Sequence, residues 1–182
     1  MLKFTVNCIL IIQHFQIGLF VISITQNIYI KADINKIWAY LTDFSQSLYF
    51  NRFHSNLELP PNYSLGKKDT FNINHNFGFG NYKMIAEVNE CVPPKKLSIS
   101  EYCPDDPNKG FPHKIIFTID PDFNRSKLNY TVSGTYGGVV QDMSFKPILQ
   151  GVIKEELLKI KNAIESSEVV HKIIDPKMIK PI

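Results

Sequence analysis

The sequence has few of the residues that mark disulfide-rich or zinc-thiolate domains. Its 182 residues include three cysteines, Cys8, Cys91 and Cys103, and no CxxC pair. An odd number of widely spaced thiols favours neither a disulfide framework nor a cysteine zinc site. We therefore expect reduced thiols in a cytoplasmic protein, and we predict no cofactor.

Excess charge of one sign is also lacking. The formal net charge is +3, and no dense Lys/Arg cluster occurs. The nearest approach is Lys154, Lys159 and Lys161 among glutamates, which is typical of a solvated helix face. We therefore expect no nucleic-acid partner.

A long uninterrupted apolar run is missing too. The opening "MLKFTVNCILIIQHFQIGLFVIS" has two apolar bursts separated by Gln13, His14 and Gln16, whereas a spanning helix needs about 20 mostly apolar residues. No small-x-small cleavage site precedes residue 26. We interpret residues 1–17 as an extension outside the domain, either spurious or a targeting segment. Membrane association or export through residues 1–24 stays open as an alternative, with any membrane contact transient.

The first part of the chain changes from a strand pattern to a helix pattern. The residues from Leu19 to Lys31 are rich in β-branched side chains and predict a strand. Asp33 is a suitable N-cap for a helix running to about Thr42. A second short helix follows in "DFSQSLYFNRFH", with Ser45 or Ser47 as its cap.

The rest of the domain alternates with a period of two and then ends in a helical pattern. Six short strands separated by Pro, Gly and Asn turns are predicted between residues 55 and 136. From about Val140 to Ser166 an apolar stripe with helical spacing faces away from charged residues. These patterns predict an α+β architecture, in which one long amphipathic helix covers the apolar face of an antiparallel sheet. We place the domain at residues 18–166 and a loosely held tail at 167–182.

Several segments, in this order, resemble the START-like or SRPBCC superfamily. They are "IKADINKIWAYLTDFSQ", "YSLGKKDTF", "AEVNECVPPKKLSIS", "FTIDPDFNRSKLNYTVSG" and "LLKIKNAIES". The superfamily includes polyketide cyclase/dehydrase-type domains, lipid-transfer START domains and the birch-pollen-allergen type. One departure is "DFNRSK", where the family often has a glycine-rich turn.

The resemblance implies a helix-grip fold, in which a curved seven-stranded antiparallel sheet wraps around the long C-terminal helix, with two short helices after the first strand. It also implies a hydrophobic cavity between sheet and helix. It does not imply a reaction, because members bind lipids, hormones, polyketides or quinones, and some act as cyclases or chaperone cofactors.

Two histidines on the predicted strands are low-ranking catalytic candidates. His75 and His113 are in phase with apolar neighbours and should point to the concave face, as should Glu101. A neutral imidazole there could hydrogen-bond a ligand carbonyl or act as a general base. The same His/His/Glu set could bind metal only if three strands converge. Because the linear spacing does not support that, we predict no metal site and assign no catalytic residue.

Inward-facing aromatic and apolar side chains are the better candidates for function, since a tyrosine can pack against a ligand and also orient it. The sequence has 13 Phe and 8 Tyr. We predict a ligand-binding set of Phe71, His75, Phe77, Tyr82, Met84, Phe117, Tyr130, Tyr136, Leu149 and Ile153. Trp38, the single tryptophan, is interpreted instead as packing between the first helix and the sheet.

Three functions are compatible with these patterns. The first is a binding protein for an apolar or amphipathic small molecule such as a lipid, quinone or polyketide. The second is a cyclase/dehydrase-type enzyme, with His75 or His113 as base and Tyr82 or Tyr136 polarising a carbonyl. The third is a chaperone-cofactor or protein-interaction module. Ligand identity and oligomeric state stay open.

Overall fold

The computed structural model describes residues 22–48, 51–60, 65–66, 68–76, 80–106 and 108–166. The predicted extension at 1–17 and the predicted tail at 167–182 lie outside these ranges. Seven strands form one antiparallel sheet in the order β1-β7-β6-β5-β4-β3-β2. The strands are β1 (Ile22–Ile30), β2 (His54–Glu58), β3 (Thr70–Asn76), β4 (Asn81–Val92), β5 (Lys96–Tyr102), β6 (His113–Asp122) and β7 (Arg125–Gly134).

Two short helices follow β1, as predicted. In α1 (Ile34–Thr42), the Asp33 carboxylate caps the helix by accepting hydrogen bonds from the backbone N–H groups of Asn35 and Lys36. In α2 (Phe44–Ser47) the N-cap is Asp43. The prediction of Ser45 or Ser47 as the cap was wrong, because both hydroxyls donate elsewhere, to the Asp43 carboxylate and the Leu41 carbonyl.

The long helix α3 (Val139–Glu165) covers the sheet. Its buried stripe packs on the apolar face of the strands, and the stripe consists of Leu149, Val152, Ile153, Leu157, Ile160 and Ile164. At its C-terminal end, Lys31 N donates to Glu165 Oε1 at 2.7 Å and Lys161 Nζ donates to the Tyr29 carbonyl at 2.6 Å. These bonds fasten α3 to the end of β1. This architecture confirms the predicted helix-grip fold.

The inner face of the sheet alternates as the sequence predicts. Phe71, Ile73 and His75 on β3 are buried, and their neighbours in the strand are not. On α1, Ile37 and Leu41 are fully buried. Trp38 is half-buried and packs against the same core.

Within the described ranges, no helix combines the length and apolarity that crossing a lipid bilayer would need.

Candidate functional site

Four buried side chains converge on the concave face near one end of the sheet. We call His54, His75, Glu101 and His113 the histidine–glutamate cluster. They come from β2, β3, β5 and β6. His54 lies directly opposite His75 across one strand pair, and Glu101 lies directly opposite His113 across another. The curvature of the sheet and its period of two bring all four to the same face.

The three imidazoles point the same type of atom at the same carboxylate. The Nε2 atoms of His75, His113 and His54 lie 2.7, 3.5 and 3.7 Å from Glu101 Oε2. The Glu101 side chain is 0% exposed, and its Oε1 has no hydrogen-bond partner among the described residues. Glu101 is therefore a buried carboxylate surrounded mainly by imidazole nitrogen.

Two of the imidazoles are oriented from behind by backbone carbonyls. His54 Nδ1 lies 2.7 Å from the Leu48 carbonyl oxygen, and His113 Nδ1 lies 2.8 Å from the Phe111 carbonyl oxygen. A carbonyl oxygen can only accept, so both Nδ1 atoms carry the hydrogen. In the neutral ring the Nε2 atom is then a lone-pair donor facing Glu101.

Burial and the neighbouring charges have opposite effects on the pKa values of the cluster. Burial lowers the pKa of His75 to about 4, so this ring is neutral near pH 7. Burial also opposes a charge on His54, but the nearby Glu101 carboxylate outweighs it and raises the pKa of His54. Burial disfavours the Glu101 anion, yet the neighbouring imidazoles hold the pKa of Glu101 well below its usual range.

A second carboxyl faces the cluster from α3. Tyr130 Oη on β7 donates a hydrogen bond of 3.0 Å to Glu156 Oε2. Burial raises the pKa of Glu156 to about 7, against the lowering effect of His54 and of the Tyr130 hydroxyl. Burial and the Glu156 charge raise the pKa of Tyr130 well above its usual value. The Glu156 carboxyl is therefore poised to gain or lose a proton near neutral pH.

A small cavity lies between these groups and α3. Its volume is about 20 Å³, which is room for a single water molecule. Asn51 and Phe53 border one side of it. Its remaining lining combines apolar and hydrogen-bonding side chains, namely His75, Phe111, His113, Tyr130, Val132, Tyr136, Leu149, Val152, Ile153 and Glu156.

A stack of aromatic rings closes the cavity toward the start of α3. Ring centroids of Phe111 and Tyr136 are 4.2 Å apart, and those of Tyr136 and Phe145 are 4.3 Å apart. Asp142, fully buried in the first turn of α3, accepts hydrogen bonds from the Tyr136 backbone N–H at 2.6 Å and from the Thr135 hydroxyl at 2.8 Å. The stack and these bonds fix the start of the helix over the cavity.

The predicted ligand-binding residues fall into two groups in the structure. His75, Tyr130, Tyr136, Leu149 and Ile153 line the cavity, as does the catalytic candidate His113. Phe71, Met84 and Phe117 are buried in the core, away from the cavity lining, and Tyr82 is half-buried beside that core. Phe77 lies outside the described residues.

Two important members of the site were missed by sequence reasoning. His54 fell within the segment predicted as the second helix, whereas the structure begins β2 at this residue. Glu156 was taken as part of the charged face of α3. Its spacing predicts burial instead, because Glu156 lies four residues after Val152 and four before Ile160, on the buried stripe.

The sequence matches no protein-family model and no curated protein. Solved structures match it at low identity. A protein from Mesorhizobium loti shares 16% identity over 81% of this chain and 100% of its own, with a TM-score of 0.61. The chain has the helix-grip fold of START-like proteins.

Two further structures extend this likeness. A Polyketide_cyc-like protein from Corynebacterium glutamicum is 16% identical over 79% of this chain and 91% of its own, with a TM-score of 0.55. The Aha1 dimer from Colwellia psychrerythraea is 18% identical over 81% of this chain and 98% of its own, with a TM-score of 0.56. At these identities the START-like match describes the fold alone.

Proposed function

We propose that the protein binds an apolar or amphipathic small molecule between the sheet and α3, with its polar end at the histidine–glutamate cluster. The observation that carries this proposal is the mixed lining of the cavity. Val132, Leu149 and Ile153 offer apolar contact, while Tyr130 and Glu156 offer hydrogen bonds at one end. Small-molecule sites typically combine a mostly apolar wall with a few placed polar groups.

The cavity must enlarge to admit such a ligand. Its volume of about 20 Å³ is far below the roughly 300–1,000 Å³ of sites for drug-sized molecules. The first half of α3 is the element best suited to move, since Val139, Val140 and Met143 are exposed there. Its attachment rests on Asp142 and on the Tyr136–Phe145 ring contact. As the N-terminal end of α3 moves away from the sheet, a ligand would replace Phe145 in contact with the Tyr136 ring.

The polar end of the site favours a ligand with a carbonyl or hydroxyl group. A neutral imidazole at His75 can donate or accept one hydrogen bond. Glu156 donates when protonated and accepts when ionised, and both forms are populated near pH 7. The Glu101 carboxylate behind these residues would repel an anionic headgroup, so neutral oxygen-bearing ligands fit better than anions.

Binding is tested with three neutral probes: a C16 fatty alcohol, a naphthoquinone and a polyphenol, each followed by native mass spectrometry and calorimetric titration. Leu149→Trp fills the cavity side of α3 and should weaken binding at least about tenfold. Ile148→Trp is the matched control, because Ile148 is 56% exposed on the other side of the same helix. It should bind as the wild type does.

A folded wild-type protein that takes up none of the three probes contradicts the proposal, as does equal binding by the two tryptophan variants. If Leu149→Trp does not fold, the test is an NMR titration of the wild type that follows the methyl chemical shifts of Val132, Leu149 and Ile153. These methyls line the cavity and must shift on titration. Shifts confined to the exposed Val139 and Val140 would count against binding in the cavity.

A second candidate function is proton-transfer catalysis of the cyclase/dehydrase type. It is favoured by the presence of His75, His113 and Glu156 on the wall of one cavity, since general acid–base chemistry needs such groups within reach of a ligand. A probe ketone such as 2-tetralone in D₂O would exchange its α-hydrogens faster with the protein present. Exchange should fall in Glu156→Gln and persist in Glu155→Gln, whose exposed side chain lies one residue away. Exchange that is equal in the two variants argues against this candidate.

A further inference from the structure

The histidine–glutamate cluster has the geometry of a metal site. Two ligands that are each about 2.0–2.1 Å from a tetrahedral ion lie roughly 3.3 Å apart. The three imidazole Nε2 atoms are 2.7, 3.5 and 3.7 Å from Glu101 Oε2, values that bracket this spacing. Ligand atoms of His54, His75 and Glu101 all lie within 4.8 Å of one another.

The hydrogen bonds made by the other ring nitrogens are also those expected of metal-bound histidines. Carbonyl oxygens of Leu48 and Phe111 take the Nδ1 hydrogens of His54 and His113. A backbone carbonyl behind the ring is the usual second partner of a metal-bound histidine, because it fixes the tautomer and turns the other nitrogen toward the ion. Without a positive charge between them, the lone pairs of these Nε2 atoms face the lone pairs of a buried carboxylate.

In the part of the chain that the structure describes, no lysine or arginine forms an ion pair with the Glu101 carboxylate. Among the described residues, the ion-pair partners of Glu101 are histidines alone. Glu101 is fully buried and its Oε1 accepts no hydrogen bond there. A buried anion without a full set of partners is costly, and a cation coordinated by the same oxygen would offset that cost.

We propose that His54, His75 and Glu101 bind one divalent first-row transition-metal ion through two Nε2 atoms and a carboxylate oxygen. Of these three ligands His75 also lines the cavity, which has room for one water molecule, and we place the fourth position on that side. His113 Nε2 is placed to accept a hydrogen bond from that water. Two imidazoles, one carboxylate and an open position form the donor set of many catalytic zinc sites. This inference does not depend on the small-molecule proposal.

The donor types select the class of metal. Imidazole nitrogen suits Zn²⁺, Co²⁺, Ni²⁺, Cu²⁺ and Fe²⁺, whereas Mg²⁺ and Ca²⁺ require more oxygen ligands than the single carboxylate supplies. Neither Cys91 nor Cys103 belongs to the group. The ligands come from strands that the sequence separates widely, which is why their linear spacing predicted no metal site.

The experiment uses the full-length untagged chain, stripped with a chelator, dialysed and then titrated with Zn²⁺ and with Co²⁺. Elemental analysis should find one zinc per chain, and Co²⁺ should give the intense visible absorption of a four-coordinate site. Histidine side-chain NMR of the wild type should show Nε2 shifts on Zn²⁺ addition. This readout needs no variant and so survives any folding defect.

Three variants locate the site. Glu101→Gln and His54→Gln should each weaken Zn²⁺ binding by at least about 100-fold, while His113→Gln should cost only about 10- to 100-fold. Glu155→Gln is the matched control and should bind as the wild type does, because Glu155 is exposed on α3.

The proposal is overturned if the folded wild type takes up less than about 0.1 equivalent of both ions, a level at which single-site occupancy is negligible. It is also overturned if Glu101→Gln and His54→Gln retain folded circular dichroism spectra and wild-type affinity. Loss of small-molecule binding with metal binding intact would contradict only the function proposed above, so the two failures can be told apart.

Discussion

Tyr130 on β7 and Glu156 on α3 form a buried hydrogen bond of 3.0 Å between the sheet and the helix that covers it. This bond joins the inner face of the sheet to α3 close to the cavity. Because burial raises the pKa of Glu156 to about 7, the Glu156 carboxyl gains or loses its proton near neutral pH.

The contribution of Glu156 to stability should fall as the pH rises from about 4.5 to 7, whereas the contribution of His75, whose pKa burial lowers to about 4, should rise over an overlapping window. The folded-state pKa of Glu156 is about 7 against an ordinary value of 4.5. At Glu156 the folded chain therefore holds more of a proton than the unfolded chain in this window, and the contribution of this residue to the free energy of unfolding decreases by up to about 3 kcal/mol across it. His54, Tyr130, Glu101 and Lys159 are the other groups that act on Glu156.

Urea unfolding at several pH values in the presence of a chelator measures this slope. Glu156→Gln removes its titration, so the free energy of unfolding of the wild type should fall relative to that of Glu156→Gln as the pH rises, whereas Glu155→Gln should leave the curve unchanged. Parallel curves for wild type and Glu156→Gln would contradict the prediction.

Asp142→Ala should destabilise the protein by about 1–3 kcal/mol. The Asp142 carboxylate is fully buried and accepts hydrogen bonds from the Tyr136 N–H and the Thr135 hydroxyl. Alanine leaves both donors without this partner. Gln150→Ala, at an exposed position of the same helix, is the control. Similar midpoints of thermal unfolding for the two variants would show that Asp142 does not anchor α3.

Two glycine-to-alanine substitutions should have opposite effects on stability. A Cβ at Gly134 would lie 2.6 Å from both His113 Cβ and the Pro112 carbonyl oxygen, so Gly134→Ala should cost roughly 1–3 kcal/mol through steric strain. A Cβ at Gly151, inside α3, meets nothing within 4 Å. Gly151→Ala should stabilise by about 0.8–1 kcal/mol through helix propensity. Chemical denaturation of both variants checks the pair, and a change of the same sign in both is the unexpected result.

Asp33→Ala should lower stability by about 1 kcal/mol, the usual cost of losing an N-cap. Asp33 Oδ1 accepts from the N–H groups of Asn35 at 2.8 Å and Lys36 at 3.0 Å. Asp33→Asn keeps an accepting oxygen and should retain most of the stability. Equal losses in the two variants, measured by urea unfolding, would mean that the charge matters rather than the hydrogen bonds.

The fold could be predicted from the sequence because its signals are local. Alternation along β3 places Phe71, Ile73 and His75 on one face, and the structure buries all three. The cap at Asp33 and the stripe along α3 follow from the same kind of spacing. Alternation also predicted that Glu101 faces inward, although a carboxylate at such a position is unusual.

The candidate site was harder to predict because it depends on strand curvature and register. Periodicity says which face His113 occupies but not which residues of other strands lie beside it. The pairing of Glu101 with His113 and of His54 with His75 is fixed by strand register, which the sequence does not state. For the same reason, Phe71, Met84 and Phe117 share the inward face with the cavity residues and yet belong to the core.

The strand order has a consequence for how the chain reaches this structure during synthesis. β1 pairs with β7, so that Ser23 meets Ser133, 110 residues later in the chain. At roughly 5–20 residues per second the ribosome needs about 5–20 s to supply that partner. Throughout that interval the β1 segment lacks the only strand it pairs with among the described residues, and it can join the sheet only when β7 has been made.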